Sequence, residues 1–233
     1  MSELFKQLAL AGDVWVLWTL IAASVLSFGV ILERWWAFRK NRLGFPRFLD
    51  DWARRVEKKD LAGAKQVAQQ AVGMEARVAL AGLENFSKGP ASVEEAMTSR
   101  LVLERAALEK HLIILGSLGN NAPFIGLFGT VLGIITAFND LAVSGQSGVS
   151  AVMAGISSAL VATALGIFVA VPAVIANNAF HTRLKRLTTN AQSLVHVAQV
   201  YLRDETIARQ RRGGPEAKRE GTATDPVVME MSV

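Results

Sequence analysis

The sequence predicts an all-α, polytopic membrane protein with three transmembrane helices and long cytoplasmic helical extensions. Hydrophobic residues make up 51% of the 233 positions and charged residues 19%, with a mean hydropathy of +0.31. The apolar residues gather in three runs, each long enough to cross the roughly 30 Å hydrocarbon core of a bilayer. The chain contains no cysteine, which excludes disulfides, thiolate metal sites and cysteine nucleophiles.

The first apolar run covers residues 14–32 and contains no charged side chain. Tryptophans stand at both of its ends, as in the aromatic belts of membrane helices. They are Trp15, Trp18, Trp35 and Trp36. The run is too long for a signal peptide, and no small-residue cleavage site follows it. We therefore expect a short periplasmic N-terminus at 1–13 and an uncleaved first transmembrane helix at 14–36.

Residues 37–110 are polar and form a predicted cytoplasmic helical region. Pro46 opens one helix of this region, because proline is favoured in the first helical turn. Asp60 can cap the next helix, LAGAKQVAQQ, by accepting a hydrogen bond from its first turn. A third helix is expected over residues 74–86.

A longer helix is predicted after the breaker KGP. Ser92 and Glu95 have the spacing of a capping box, and no helix breaker follows them for a long way. We expect the helix that begins there to continue straight into the membrane. Unbroken to Phe138 it would be roughly 70 Å long, so about half of it would project into water.

The other boundaries follow from the second and third apolar runs. A stretch rich in Gly and Ser separates these two runs, and a polar stretch ends the chain. We expect a second transmembrane helix at 111–138, a periplasmic loop at 139–149, a third transmembrane helix at 150–177, a cytoplasmic helix at 178–210 and a disordered tail at 211–233.

The positions of the basic residues give the orientation. Every Lys and Arg except Lys6 lies in residues 34–110 or 178–233. With three spans these two regions share one side of the membrane. The positive-inside rule places that side in the cytoplasm, so the N-terminus is predicted to be periplasmic and the C-terminus cytoplasmic.

Hydroxyl groups are the main polar side chains of the second and third runs. Neither run contains an Asp, Glu, Lys, Arg or His, so this chain alone lacks the titratable group of a proton relay. The hydroxyls can line a hydrated passage, or they can simply bond to the carbonyls of their own helices. They are Thr130, Thr136, Ser150, Ser157, Ser158 and Thr163.

Small residues in both runs favour close helix packing. Gly126, Gly129 and Gly133 allow another backbone to approach the second run. In the third run a predicted small-residue face comprises Ala151, Ala154, Gly155, Ser158, Ala162 and Gly166. Prolines interrupt both runs and are candidate hinges or tolerated kinks. They are Pro123 and Pro172.

Two separated motifs resemble the proton-channel family of MotA, TolQ and ExbB. They are APFIGLFGTVLGIITAF at 122–138 and GISSALVATALGIFVAVP at 155–172, and the first span, ending in ILERWWAFRK, also resembles TolQ and ExbB. The resemblance covers roughly residues 10–205. Three spans and a cytoplasmic helical insert are more similar to TolQ and ExbB than to four-span MotA.

The resemblance implies a pentamer of this chain in the bacterial inner membrane, around a dimer of single-span partners of the ExbD/TolR type. The partner would bring a membrane Asp that is protonated and deprotonated as protons flow. By the same resemblance Thr130 and Thr163 line the path. Ser158 stands where TolQ and ExbB typically carry a glutamate, which leaves open the envelope process that is driven and the identity of the ion.

Two functions remain open from the sequence. In the first, the chain is a subunit of an ion-driven motor that couples proton motive force to work in the envelope. In the second, it is a structural scaffold whose small residues only pack helices. An enzyme has little support, because the three histidines do not form a metal-ligand spacing and no phosphate-binding loop is present. No metal or cofactor is expected.

Overall fold

A computed structural model describes residues 14–41, 44–144 and 149–212 of the chain. Its regular elements are seven α-helices and a short 3₁₀ turn at Phe86–Lys88, with no strand in this part of the chain. The helices are α1 (Val14–Lys40), α2 (Phe45–Glu57), α3 (Leu61–Gln70), α4 (Met74–Glu84), α5 (Pro90–Glu109), α6 (Leu112–Ser144) and α7 (Val149–Arg212).

Three of these helices, α1, α6 and α7, contain stretches long and apolar enough to cross a membrane. Helices α6 and α7 run antiparallel, because Gly119 lies against Val174 whereas Gly133 lies against Ala159. Helix α1 packs against both of them. Large apolar side chains on the outside of the three helices are exposed in the single chain, as lipid-facing positions are. The predicted all-α membrane fold is confirmed.

A second core lies where the short helices α2–α5 pack around the C-terminal half of α7. Trp52, Met74, Met97 and Leu194 are almost fully buried there. The rings of Phe38 and Phe180 stack at 5.3 Å where α1 and α7 enter this core. Helix α7 is continuous through both cores, so one rigid element joins the membrane part to the polar part.

The predicted start and continuity of the long helix are wrong. Helix α5 begins at Pro90 after Gly89, whose φ of 97° suits a residue without a side chain, and no side chain caps it. The capping box of Ser92 and Glu95 therefore lies inside the helix. Helical bonding then stops at Glu109 and resumes at Leu112, so no single helix runs from the polar part into the membrane.

The other boundaries predicted from the sequence agree with the structure to different extents. Asp60 caps α3 as predicted, since its Oδ1 accepts a hydrogen bond from Gly63 N at 2.9 Å. Helix α6 continues to Ser144, so the first six residues assigned to the loop are helical. The remainder of that loop up to residue 148, the N-terminal segment 1–13 and the tail 213–233 lie outside the described residues.

Candidate functional site

The backbones of α6 and α7 touch at Gly126. A Cβ atom added there would lie 2.8 Å from the carbonyl oxygen of Ala162 and 3.1 Å from the Cα of Thr163. It would also lie 3.2 Å from the Cα of Gly166. Only glycine permits this approach, so the predicted packing role of Gly126 agrees with the geometry.

The same close packing extends along the helix pair. Added Cβ atoms at Gly133 and Gly155 would lie 2.8 Å from the Cβ of Ala159 and 2.7 Å from the Cβ of Ala137, respectively. Gly129 approaches two helices at once, with Ala162 Cβ at 2.8 Å and Val16 Cγ1 of α1 at 3.0 Å.

The small-residue face of α7 is rotated from the predicted one. The small residues in contact with α6 include Ala159 and three members of the predicted face, Gly155, Ala162 and Gly166, whereas Ala154 and Ser158 are exposed. The residues of the predicted face and the residues that contact α6 both recur at helical spacing. The sequence could not choose between them, because nearly every position of this segment is small.

Thr130 is buried, with 9% of its surface exposed, and follows Gly129 on α6. Its hydroxyl donates to the carbonyl oxygen of Leu127 at 2.6 Å. This is the bond to its own helix that the packing interpretation expects. The hydroxyl still has lone pairs with which it can accept another bond.

Thr163 differs from Thr130 in its hydrogen bonding. Its Oγ1 is buried and has no hydrogen-bond partner among the described residues. Its backbone forms part of the contact with Gly126. A buried hydroxyl without a partner is uncommon, and its proton remains available to a group from outside the chain.

Ser158 is exposed on α7, away from the α6 contact made by its neighbour Ala159. Thr163 lies at that contact and Thr130 is buried beside it. The three candidate path residues therefore do not converge on one passage within a single chain. A path that uses all three needs a surface contributed from outside this chain.

Both predicted hinge prolines lie inside continuous helices, Pro123 in α6 and Pro172 in α7. Proline removes one backbone donor and leaves a carbonyl of the preceding turn without its usual bond. The helix assignments continue through both positions, so neither proline divides its helix.

Two buried polar side chains were missed by the sequence interpretation. Ser27 on α1 is 2% exposed and its hydroxyl has no partner, and the Oδ1 of Asn177 on α7 is likewise buried and unpaired among the described residues. An added Cβ at Gly116 would lie 3.7 Å from the amide of Asn177. Their positions near the ends of apolar runs gave no signal, since polar residues are common there.

Titratable and metal-ligating groups are scarce around this helix pair. Residues 112–138 and 149–176 contain no acidic, basic or histidine side chain. Among the described residues no cluster of three His, Asp or Glu side chains could hold a metal ion. The chain therefore offers hydroxyls within the membrane part but no carboxylate.

Comparisons with known proteins agree on one family. Residues 70–193 match the sequence model of the MotA/TolQ/ExbB proton channel family. The chain is 35% identical to the Tol-Pal system protein TolQ of Pseudomonas aeruginosa over 186 residues, which cover 74% of this chain and 79% of that protein. It is 32% identical to TolQ of Haemophilus influenzae over 72% of this chain and 78% of that protein. It is 49% identical to the biopolymer transport protein ExbB of Neisseria gonorrhoeae over 88 residues, 38% of this chain and 40% of that protein.

Proposed function

The chain belongs to the MotA/TolQ/ExbB proton channel family, and from that membership we propose that it conducts protons as part of a motor in the inner membrane. The motor would couple proton motive force to mechanical work in the envelope. One charge crossing 100 mV releases about 2.3 kcal/mol, so several protons per step can drive a conformational change. The two TolQ relatives match along most of this chain, which favours a Tol-Pal type of process over TonB-type transport or gliding motility.

The buried, unpaired hydroxyl of Thr163 is the observation that carries this proposal. Pure helix packing would favour Ala or Val at such a position, because an unpaired buried hydroxyl is unfavourable. A hydroxyl next to a proton path, in contrast, can orient a water or a partner's carboxylate. Thr130 is the second proposed path residue, and Ser158 the third.

The proposed partner is a single-span protein of the ExbD/TolR type that carries the membrane Asp absent from this chain. Copies of this chain, proposed to number five, would surround two partner helices. The exposed apolar faces of α6 and α7 can bury their surface against such neighbours. The proposed orientation has a periplasmic N-terminus and a cytoplasmic C-terminus.

Proton flux through the reconstituted complex tests this proposal. The complex of this chain with its partner is placed in vesicles with an imposed potential, and uptake is followed with a pH-sensitive dye. Thr163→Val and Thr130→Val are expected to reduce flux by at least about tenfold, equivalent to about 1.4 kcal/mol. Thr163→Ser keeps the hydroxyl and should therefore retain the proton flux of the wild type.

Co-purification of the partner with each variant is the assembly control. Full proton flux in both valine variants would contradict the proposal that Thr130 and Thr163 line a proton path. It would favour the alternative function, a structural scaffold that assembles a complex. Loss of both flux and assembly in Thr163→Val would also favour the scaffold, provided that Thr163→Ser fails to assemble as well.

A further inference from the structure

A cavity of about 660 Å³ lies in the polar part of the chain, on the membrane-proximal half of its core. The end of α1, the start of α2, helix α4 and helix α7 form its walls. Phe180, whose ring stacks on that of Phe38, directly follows the lining residue Ala179 on α7. Its volume is within the range of about 300–1,000 Å³ that small-molecule sites occupy.

Glu75 contributes to the cavity lining a buried hydrogen-bond acceptor without a partner in the described part of the chain. The residue is 1% exposed, and its Oε1 accepts a bond from Nδ2 of Asn190 at 3.2 Å. Its Oε2 is buried and has no partner among the described residues. Burial raises the pKa of Glu75 above that of an ordinary glutamate. A ligand that donates a hydrogen bond to Oε2 would offset this cost.

Two arginines line the same cavity at the end nearer the membrane. Arg183 and Arg186 lie one turn apart on α7, on the face that also carries Asn190. Along the helix axis, Arg186 is about 6 Å and Arg183 about 10 Å from the level of Asn190. The cavity thus has a cationic end and a carboxylate end, with Phe45 and Leu187 in its lining.

We infer that this cavity binds a soluble nucleoside phosphate, with the phosphate at Arg183 and Arg186 and an N–H edge of the base at Glu75. Guanidinium groups bind phosphate oxygens through paired hydrogen bonds. A base that presents ring and exocyclic N–H groups supplies the donors that the Glu75 carboxylate lacks. Phe45 and Leu187 provide apolar surface for the flat base. This site lies on the polar half of α7, at least 16 residues after Thr163 of the proposed proton path.

The depth of the carboxylate favours a soluble ligand over a lipid. Asn190, which binds Glu75, lies 13 residues after the predicted end of the third transmembrane helix at residue 177, or about 20 Å along α7. The headgroup layer of one leaflet is only about 5–8 Å thick. A lipid phosphate near the membrane end of α7 could therefore reach the arginines, whereas Glu75 would remain beyond its headgroup.

Direct binding to the purified complex tests the inference, with guanosine monophosphate as the probe and inorganic phosphate as the comparison. We expect saturable binding of guanosine monophosphate, weakened at least about tenfold in Arg186→Gln, which removes a charged phosphate contact. Glu75→Gln keeps the shape of the side chain and the oxygen that accepts the bond from Asn190, but it replaces the acceptor Oε2 by an amide donor. It should therefore weaken the binding of guanosine monophosphate to a similar extent. Lys185→Gln is the matched control, since Lys185 is exposed and lines a different surface.

Three results would overturn the inference. The first is the absence of saturable nucleotide binding to the intact complex. The second is inorganic phosphate binding as tightly as the nucleotide, or Glu75→Gln binding unchanged, either of which leaves only an anion site at the arginines. The third is that the complex binds anionic lipid, supplied in nanodiscs, in a manner that depends on Arg186, while it does not bind guanosine monophosphate. Equal unfolding temperatures of wild type and Arg186→Gln exclude misfolding as the reason for a loss.

Discussion

The guanidinium of Arg34 donates a hydrogen bond to the carbonyl oxygen of Leu108 at 3.1 Å, across 74 residues of sequence. The same Nη1 donates to the carbonyl oxygen of Ala107 at 3.2 Å. Arg34 also pairs with Glu33, whose other oxygen lies 2.6 Å from Nδ1 of His111. These contacts join α1 to the last turn of α5 and to the residue just before α6. They satisfy carbonyls that a continuing helix would have used, which explains how the helix can break there.

Replacing Arg34 should loosen the α5–α6 junction. Arg34→Ala removes two charge-assisted bonds, each worth about 1.5–3 kcal/mol, from a residue that is 6% exposed. We expect a lower apparent unfolding temperature in detergent and faster amide hydrogen exchange at residues 109–113. Arg39→Ala is the control, because Arg39 is exposed and contacts only the Trp35 ring in the described part of the chain, at 5.1 Å. Equal rates of amide hydrogen exchange at residues 109–113 in Arg34→Ala and Arg39→Ala would contradict the proposed role of Arg34 at the α5–α6 junction.

The junction illustrates what the sequence could and could not predict. Periodicity and breakers located most helices, and Asp60 was recognised as a cap because capping depends on near neighbours in sequence. Next to the break at residues 110–111, the carbonyls of Ala107 and Leu108 accept hydrogen bonds from Arg34, which is remote in sequence. No local pattern encodes such a contact, so the sequence favoured one unbroken helix.

The close approach at Gly126 gives a second prediction. Gly126→Ala places a methyl group 2.8 Å from the carbonyl oxygen of Ala162, and backbone atoms cannot yield as a flexible side chain does. We expect a loss of about 1–3 kcal/mol from overpacking, seen as a lower unfolding temperature. Gly29→Ala is the matched control, because an added Cβ there has no atom within 4 Å. A Gly126→Ala protein as stable as Gly29→Ala would show that α6 and α7 are not packed this tightly.

The buried carboxyl of Glu75 predicts a dependence of stability on pH. Burial raises its pKa in the folded chain, so the folded state holds the proton more tightly than the unfolded state. Stability should therefore fall as the pH rises above the unfolded value of a glutamate, through the raised folded pKa. Glu75→Gln cannot ionise and should remove this fall. A gain of about 1 kcal/mol would raise the unfolding temperature by roughly 2–4 °C at neutral pH.

Thermal unfolding of wild type and Glu75→Gln from acidic to slightly alkaline pH measures this effect. The exposed Glu94→Gln serves as the control, because its carboxyl is not desolvated. The same dependence of the unfolding temperature on pH in all three proteins would contradict the prediction. A constant offset without pH dependence would mean that the substitution acts through packing alone.

The candidate path was only partly predictable for a different reason. Residue types and spacing located the glycines that contact α7, since close approach requires glycine at particular positions. Helical periodicity could not fix the rotation of α7, because small residues cover most of its circumference in this segment. The burial of the Thr163 hydroxyl, without a partner in the described part of the chain, depends on the packing of α7 against α6, and no pattern within the sequence reports that.

Ser158, the third proposed path residue, is predicted to matter less for proton flux than Thr163, because the partner's carboxylate is proposed to take up and release the proton. Ser158 lies outside the α6–α7 contact, so Ser158→Ala leaves the packing between these two helices unchanged. The loss of a hydroxyl that does not itself titrate should raise the barrier by less than about 0.5 kcal/mol, so proton flux should stay within about twofold of wild type. The measurement is the same dye-based flux assay, with Thr163→Val as the sensitive comparison. A Ser158→Ala complex that assembles but no longer conducts would reverse this ranking. It would place the critical hydroxyl on the exposed face of α7, where we propose that a neighbouring chain packs, and centre the proposed path on Ser158 instead of Thr163.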